Sequence, residues 1–501
     1  MGPHLPGLRV IEQYDYSRIF RYLTDELGKP YAGERARPLQ TLVWYPAKSS
    51  PAKPMTVRDY MDLWSTETSF GRPKLSARAK EWRAAMRPTL EMPLRAVRDA
   101  EEASGCCPLV IYAPSFSSVS WENADLCEYL ASHGFVVIAT ASMGATSRNM
   151  TADLVGIAAQ AADISFLIGY ARTLANVDLS TVAVAGFSWG GISNLLAAAR
   201  DNRIRALVAL DGSLRFWPGL VRRSEEIHPQ QMTIPLMALA KGEWTLEEQA
   251  RYLSPEQIDG PNVMNAWTHG DLFAVHMLGM THREFSSMFQ RNEEVWKDFH
   301  DPEFPDKQRA DYGRADGITG YAWMARYTLQ FLNAYLKEDA AALTFLKNTP
   351  AQNGVPKHFI DVSYRAASGV AASVEALRAE VGRQGFENAG AICTQIKQRH
   401  PTAAFSEVAF NDWAEGLIDE GRLGDAITLL DLNVSMNPKS SYAHASLARA
   451  RQLTGDVQGA IQSYRKSLEN GSVNPEASRK LRELEREAPM SGADRDAPNL
   501  L

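Results

Sequence analysis

One short motif in this chain of 501 residues has the composition of a nucleophile site. The segment GFSWG at 186–190 is a G-x-S-x-G pattern, preceded by the apolar run TVAVA and followed by the helix-compatible run ISNLLAAAR. A serine at the tip of a tight strand-to-helix turn requires small residues two positions away on either side, because larger side chains would collide there. The motif therefore predicts Ser188 as a nucleophile at a nucleophile elbow. The alternative is a glycine-rich turn in which Ser188 only caps the helix.

A serine nucleophile requires a general base and an acid that orients the base. Asp211 ends the apolar run ALVAL, 23 residues after the serine, and His282 directly follows the run LFAVHMLGM and a threonine. Both positions are typical of acids and bases that follow strands of a sheet. We predict Asp211 and His282 as the partners of Ser188. Glu243 is the alternative acid, since Asp211 is followed by glycine and Asp-Gly is also a common turn dipeptide. His269 is the alternative base.

Backbone N–H groups would have to stabilise the oxyanion that such a nucleophile creates. The residue after the nucleophile, Trp189, normally supplies one N–H, and the loop after the run PLVIY supplies the other. In that loop Phe116 is the candidate, with Ser115 and Ser117 as alternatives. Trp121 could join the two aromatic residues in an apolar substrate pocket, or all three could be ordinary core residues.

Seven short apolar runs alternate with helical patterns in the first part of the chain. The runs are apolar on both faces, as expected of central strands in a sheet that is covered on both sides. This alternation predicts an α/β fold, with a mostly parallel sheet and helices on both faces. The runs lie at 39–44, 108–112, 135–140, 181–186, 206–210, 234–240 and 272–279, and the helical patterns at 121–133, 152–175, 189–200, 245–253 and 319–337.

Composition predicts three regions along the chain. Residues 1–365 form the α/β domain, interrupted at 55–104 by a helix-leaning insertion that is either a lid over the site or a surface excursion. Residues 370–487 have helical periodicity only, and the Pro/Gly/Asp-rich tail 488–501 is predicted to be disordered.

The helical region contains an internal repeat. Gly421 recurs as Gly455 and Ala426 as Ala460, both at a spacing of 34 residues. A period of 34 with a turn glycine and a small alanine in the second helix resembles the tetratricopeptide repeat. Such repeats present a concave surface, so a protein or peptide partner, or self-association, is expected for this region.

Composition also excludes several classes of function. The net charge is −6, so the chain has no general attraction to nucleic acid. The sequence has no run of about 18 uncharged apolar residues, so no membrane span is predicted. Four cysteines in 501 residues are too few for a disulfide framework. The sequence contains neither a CxxC nor an HExxH motif, so no metal site is predicted. No cofactor is expected. The first residues lack a basic and an apolar segment, so no signal peptide is predicted. The sequence does not identify the compartment. A cytoplasmic protein is expected by default, and a secreted or periplasmic one if a signal has been removed.

Several of these segments together resemble a known family. The segments LASHGF at 130–135, GFSWGG at 186–191, ALD at 209–211 and THREF at 281–285 look like the platelet-activating-factor acetylhydrolase and dienelactone hydrolase branch of the α/β-hydrolases. The resemblance spans roughly residues 35–340 and implies an α/β-hydrolase fold. It likewise implies Ser188, Asp211 and His282 as the triad, with main-chain donors at Phe116 and Trp189. The chain departs from the family in the oxyanion loop, where Pro-Ser stands in place of the usual His-Gly.

The sequence therefore predicts a cofactor-independent serine carboxylic-ester hydrolase that acts on a small-molecule ester. One alternative is a protein-interaction molecule that binds through its repeats and carries a vestigial hydrolase domain. Another is an amidase, peptidase or acyltransferase that uses the same triad, because these reactions share a tetrahedral intermediate.

Overall fold

The computed structural model describes residues 1–25, 27–215, 217–241, 254, 259–260, 262–292, 312–369, 373–399, 405–471 and 475–487. The chain divides into two units, Met1–Ser368 and Gly369–Leu501. The alternative acid Glu243, the helical pattern at 245–253 and the tail at 488–501 lie outside the described residues.

A ten-stranded sheet forms the centre of the first unit. Its order is β10-β9-β8-β7-β6-β4-β5-β2-β1-β3, and the six neighbouring strands from β9 to β5 are parallel. The strands β2 and β10 pair antiparallel with the two ends of this parallel block. The strands are β1 (Leu5–Ile19), β2 (Ala36–Ala47), β3 (Val97–Arg98), β4 (Cys107–Ala113), β5 (Val136–Thr140), β6 (Val177–Phe187), β7 (Ile204–Leu210), β8 (Leu236–Lys241), β9 (Leu272–Met277) and β10 (Ile360–Arg365).

Each of the seven predicted runs overlaps a strand, whereas β1, β3 and β10 were not predicted. The missed strands lie at or next to the sheet edges. In β1 half-buried and exposed positions separate the few buried ones, and in β10 only Ile360 is buried. Strands of this kind lack the continuous apolar run by which buried parallel strands are recognised.

Helices cover both faces of the sheet, as the α/β prediction requires. Neighbouring residues of β4 illustrate this: Val110 and Tyr112 belong to one buried apolar cluster, and Leu109 and Ile111 to the other. The predicted fold class is thereby confirmed. The helices described in this unit are α1 (Val57–Leu63), α2 (Ala77–Ala85), α3 (Ala124–Ser132), α4 (Leu154–Ala171), α5 (Trp189–Arg200), α6 (Pro218–Arg223), α7 (Val263–Ala266), α8 (Ser287–Gln290), α9 (Arg314–Leu336) and α10 (Ala340–Lys347).

The helix α4 is apolar and long enough to cross a membrane, but more than half of it is buried inside the unit. Its Asp163 forms two hydrogen bonds of 2.6 Å with the guanidinium of Arg37 on β2, and both side chains are almost fully buried. This paired charge fixes α4 to the sheet as a core helix.

The insertion at 55–104 is anchored on the core through polar contacts. The indole N–H of Trp44 donates to the hydroxyl of Tyr60 on α1, which in turn donates to Glu128 on α3 at 2.7 Å. The other oxygen of Glu128 accepts the backbone N–H of Arg95 at 2.7 Å. Two ends of the insertion thus bind one buried carboxyl group. Its role as a lid stays a prediction.

The second unit consists of helix pairs that repeat with the predicted period. The helices Glu407–Asp419 and Leu423–Met436 are followed 34 residues later by Ser441–Leu453 and Val457–Asn470. The glycines at the two turns, Gly421 and Gly455, have φ of 76° and 81°, a conformation that glycine adopts without a steric penalty. We label the helices of this unit α11 (Val374–Gln384), α12 (Ala389–Arg399), α13 (Glu407–Asp419), α14 (Leu423–Met436), α15 (Ser441–Leu453), α16 (Val457–Asn470) and α17 (Pro475–Glu487).

The buried alanines of the repeat occupy equivalent places. Ala426 on α14 and Ala460 on α16 are both fully buried, which allows each helix to pack closely against its neighbour. Ala477 and Leu484 of α17 pack in the same cluster as Ala460. The tetratricopeptide assignment and its partner stay predictions.

The buried carboxyl of Glu128 gives the first unit a pH-dependent stability. Burial, together with the neighbouring Asp125, raises its pKa from an ordinary 4.5 to about 7. Between these values the folded chain binds more protons than the unfolded chain, so stability falls as the pH rises. We therefore expect the free energy of unfolding to fall by about 3 kcal/mol because of Glu128 when the pH is raised from 5 to 8. Glu128→Gln should lose that part of the pH dependence.

Urea unfolding at pH 5 and pH 8 measures this difference. Glu101→Gln is the matched control, because the side chain of Glu101 is 74% exposed. The same pH dependence in wild type, Glu128→Gln and Glu101→Gln would contradict the prediction.

Candidate active site

Ser188 lies at a tight turn between β6 and α5, with φ of 53° and ψ of −116°. A positive φ is rare for residues other than glycine and is maintained only where surrounding contacts enforce it. Here the Ser188 N–H donates to the carbonyl of Leu210 at 3.0 Å, and its own carbonyl accepts the N–H groups of Gly191 at 3.0 Å and Ser213 at 2.8 Å. Backbone bonds from the end of β7 and the residues after it, together with one bond from α5, therefore hold the turn.

The three glycines of the motif each stand where a side chain has no room. A Cβ on Gly186 would overlap the carbonyl group of Gly190, and one on Gly190 would overlap the carbonyl oxygen of Ala113 at the end of β4. A Cβ on Gly191 would lie 2.6 Å from Cα of Gly212. The spacing of the motif is thus a packing requirement of the turn, as expected from the sequence.

The structure brings Ser188, His282 and Asp211 into one hydrogen-bonded row. Nε2 of His282 lies 2.9 Å from Oγ of Ser188, and Nδ1 lies 2.5 Å from Oδ2 of Asp211. The imidazole is about one-third exposed, whereas the carboxylate is fully buried. A histidine in this position can accept the serine proton while the carboxylate holds the other ring nitrogen protonated.

Asp211 directly follows β7 and is held by the neighbouring strand. Its N–H donates to the carbonyl of Leu239 at 2.6 Å, and its Oδ1 accepts the N–H of Lys241 at 3.1 Å. Burial by itself raises the pKa of Asp211, but the hydrogen bond and charge of His282, together with Lys241, outweigh it and hold the pKa below its ordinary value. The carboxylate is therefore ionised at neutral pH, as the orienting acid must be.

His282 begins a short 3-10 turn, His282–Phe285, that follows β9. Thr281 caps this turn, and Glu284 bonds back to the threonine N–H. The ring of His282 packs against Phe187, with 5.0 Å between the centroids. The alternative base, His269, instead bonds through Nδ1 to the carbonyl of Ser368 at 2.7 Å.

The loop after β4 lies against the elbow. The ring of Phe116 meets that of Trp189 edge to face at 5.6 Å, and Trp189 meets Trp217 in the same way at 5.5 Å. Neither the Phe116 N–H nor the Trp189 N–H donates to an acceptor among the described residues. These two N–H groups thus remain available for a ligand.

The other candidates of this region differ in their partners. The hydroxyl and N–H of Ser115 both donate to Glu122, so this N–H is already bonded. The hydroxyl of Ser117 accepts the N–H of Met150 at 2.8 Å, but the N–H of Ser117 has no acceptor among the described residues, so Ser117 stays an alternative donor. Trp121 is only 3% exposed and packs in the core, with its ring 6.3 Å from that of Tyr60. Its burial favours the core interpretation over a place in the pocket.

Two buried side chains that sequence reasoning missed connect the oxyanion loop to the turn of His282. Glu122 accepts the N–H of Ser115 at 2.8 Å, while its carbonyl accepts the hydroxyl of Ser286 and the N–H of Met288, both at 3.0 Å. Asn123 donates to the carbonyl of Phe285 at 2.9 Å. A Glu-Asn pair before a helix carries no sequence signal for this role, because its partners in the turn of His282 lie more than 160 residues away.

Comparisons with known proteins give limited further information. No family model matches the chain, and no curated protein matches it. Among solved structures, the chain is similar to a ferulic acid esterase from Streptomyces cinnamoneus, at 19% identity and a TM-score of 0.45, over 67% of this chain and 91% of that one. A likeness at this level says nothing about substrate.

The class of the fold follows from the structure itself. A parallel sheet with helices on both faces carries Ser188 on a strand-to-helix elbow, and Asp211 and His282 follow later strands of the same sheet. This is the architecture of the α/β-hydrolases. The finer assignment to the acetylhydrolase and dienelactone hydrolase branch stays a prediction.

A side chain at Gly190, the second glycine of the G-x-S-x-G motif, should lower the stability of the fold. Gly190→Ala would force its Cβ against the carbonyl of Ala113, and such overpacking typically costs about 1–3 kcal/mol. Gly169→Ala is the matched control, since no described residue lies within 4 Å of a Cβ built on Gly169, in the last turn of α4. That control should be neutral or up to about 1 kcal/mol more stable. Urea unfolding compares the two, and equal stability would refute the packing argument.

Proposed function

We propose that the chain is a serine carboxylic-ester hydrolase that works through an acyl-enzyme. The hydrogen-bonded row from Ser188 through His282 to Asp211 carries this proposal, with distances of 2.9 and 2.5 Å. The fold places the row at the end of a parallel sheet, where hydrolases of this architecture have their site. The two unpaired N–H groups beside the nucleophile provide further support.

The geometry supports a two-step reaction. Oγ of Ser188 attacks the ester carbonyl carbon while Nε2 of His282 takes the hydroxyl proton, and the carbonyl oxygen becomes an oxyanion bound by the N–H groups of Phe116 and Trp189. When the intermediate collapses, the C–O bond to the alcohol breaks and His282 protonates the departing alkoxide. Water, deprotonated by His282, then attacks the acyl-enzyme and releases the carboxylic acid with Ser188 restored. Asp211 stabilises the imidazolium in both steps.

The surroundings of the nucleophile favour an apolar substrate. Phe116 is 40% exposed although its ring packs on Trp189, so it offers an aromatic surface next to the residue that follows Ser188. Contact with such a surface favours an uncharged acyl or alcohol group.

Hydrolysis of short p-nitrophenyl esters tests the proposal. Ser188→Ala should lower kcat about 10⁴-fold or more, because the covalent step is lost. Asp211→Asn should lower it about 10⁴-fold, because the histidine no longer adopts the required tautomer. Both variants should bind substrate with a KM close to that of wild type.

Ser180→Ala is the matched control, since Ser180 lies near the start of the same strand and bonds only Asp178 within the described residues. Equal, near-background rates in wild type and Ser188→Ala would overturn the enzyme proposal and favour the vestigial scaffold. Turnover of matched anilides in preference to esters would favour an amidase or peptidase.

A further inference from the structure

Arg148, in the segment after β5, directs its guanidinium at three backbone carbonyls. Nη1 donates to the carbonyls of Ser117 and Ser142, and Nη2 donates to that of Ser118, all at 3.1 Å. Two of these three carbonyls belong to the loop that carries Phe116. One charged side chain from outside the loop therefore holds two consecutive residues of it, Ser117 and Ser118.

A carboxylate from the insertion fixes the guanidinium in turn. Oε2 of Glu67 accepts from Nε of Arg148 at 3.0 Å and lies 2.9 Å from Nη2. The side chain of Glu67 is 2% exposed and that of Arg148 is 25% exposed. All three guanidinium nitrogens thus have a partner, and the insertion at 55–104 reaches the oxyanion loop through this pair.

The carbonyl that Arg148 binds begins a chain of hydrogen bonds that leads to Phe116. The carbonyl of Ser117 shares its peptide group with the N–H of Ser118, which donates to the carbonyl of Ser115 at 3.1 Å. That carbonyl shares its peptide group with the N–H of Phe116. Two peptide groups in series therefore connect the cation to the N–H of Phe116, the proposed oxyanion donor.

Hydrogen bonds in series polarise one another, so a cation at one end makes the N–H at the other end a better donor. The chain also fixes the direction of the N–H, since rotating the Ser115–Phe116 peptide would break its bond to Ser118. The backbone at Ser117 needs such support, because its φ is 54°. The N–H of Met150 holds the Ser117 hydroxyl at 2.8 Å and so secures the same residue from a second direction.

We infer that Arg148, held in place by Glu67, is a positioning residue that aims and polarises the N–H of Phe116 toward the oxyanion. This role rests on the proposed ester hydrolysis at Ser188. It gives the insertion a function in the reaction through Glu67, independent of whether the insertion closes over the site.

Replacement of Arg148 by lysine tests the inference, because an ammonium group lacks the planar fork that reaches three carbonyls and the carboxylate together. Arg148→Lys should lower kcat on p-nitrophenyl esters about 10- to 100-fold with little change in KM, a fraction of the loss for a missing oxyanion donor. Each rate is divided by the concentration of chains whose Ser188 reacts with a fluorophosphonate. Unfolded protein lacks an activated serine and therefore does not enter the comparison. Glu67→Ala should have a similar effect, and Glu67→Gln should restore part of the rate.

Backbone amide exchange of the peptide covering 113–119, followed by mass spectrometry, gives a readout that does not depend on turnover. It should be faster in Arg148→Lys than in wild type. Arg203→Lys is the matched control, since Arg203 forks onto the nearly buried Asp201 before β7, at the opposite end of the strands from Ser188. It should change neither rate nor exchange.

A second variant separates positioning from folding. Arg148→Ala should regain part of its kcat when millimolar methylguanidinium is added, because the arginine is partly exposed and the site can take up the free cation. If the wild type hydrolyses esters but Arg148→Lys has the same kcat or the same amide exchange, the role of Arg148 is wrong and the proposed function still stands. A wild type without Ser188-dependent turnover would overturn the proposed function, and the role of Arg148 with it.

Discussion

The left-handed backbone of Ser188 is the constraint on which the rest of the site depends. A serine in this conformation projects from the tip of a turn rather than along a strand or helix, and the turn exists only while glycines stand at 186 and 190. The carbonyl and N–H of Ser188 are bonded to the segment that follows β7, which also carries Asp211. Ser188 and Asp211 are therefore held by the same set of backbone bonds.

Polar side chains join the remaining parts of the site to one another. Glu122 and Asn123 tie the oxyanion loop to the turn of His282, and Arg148 with Glu67 ties the same loop to the insertion. A buried polar group without a partner would be costly, whereas a fully bonded one holds its neighbours in a single arrangement. Four stretches that are distant in sequence are thereby linked to one another: the insertion, the loop after β4, the segment after β5 and the turn of His282.

The sequence was sufficient for the elements whose signal is local. The apolar runs of the parallel strands, the glycines at 186 and 190 and the 34-residue spacing from Gly421 to Gly455 each reflect packing within a short stretch, and all reappear in the structure. The same holds for the proximity of Ser188, Asp211 and His282, since each follows a predicted strand. Glu122 and Arg148 could not be found in this way, because their partners are backbone groups and distant side chains. The strands β1 and β10 were missed because they lie next to or at a sheet edge and lack a continuous buried apolar run.

The central claim is that Ser188 is a nucleophile activated by His282. Intact-protein and peptide mass spectrometry after incubation with a fluorophosphonate measures this most directly. The account predicts one phosphonyl group per chain, located on the peptide that contains Ser188, formed rapidly in wild type and slowly or not at all in His282→Ala. Absence of the adduct, its formation on another serine, or equal rates in the two proteins would contradict the account.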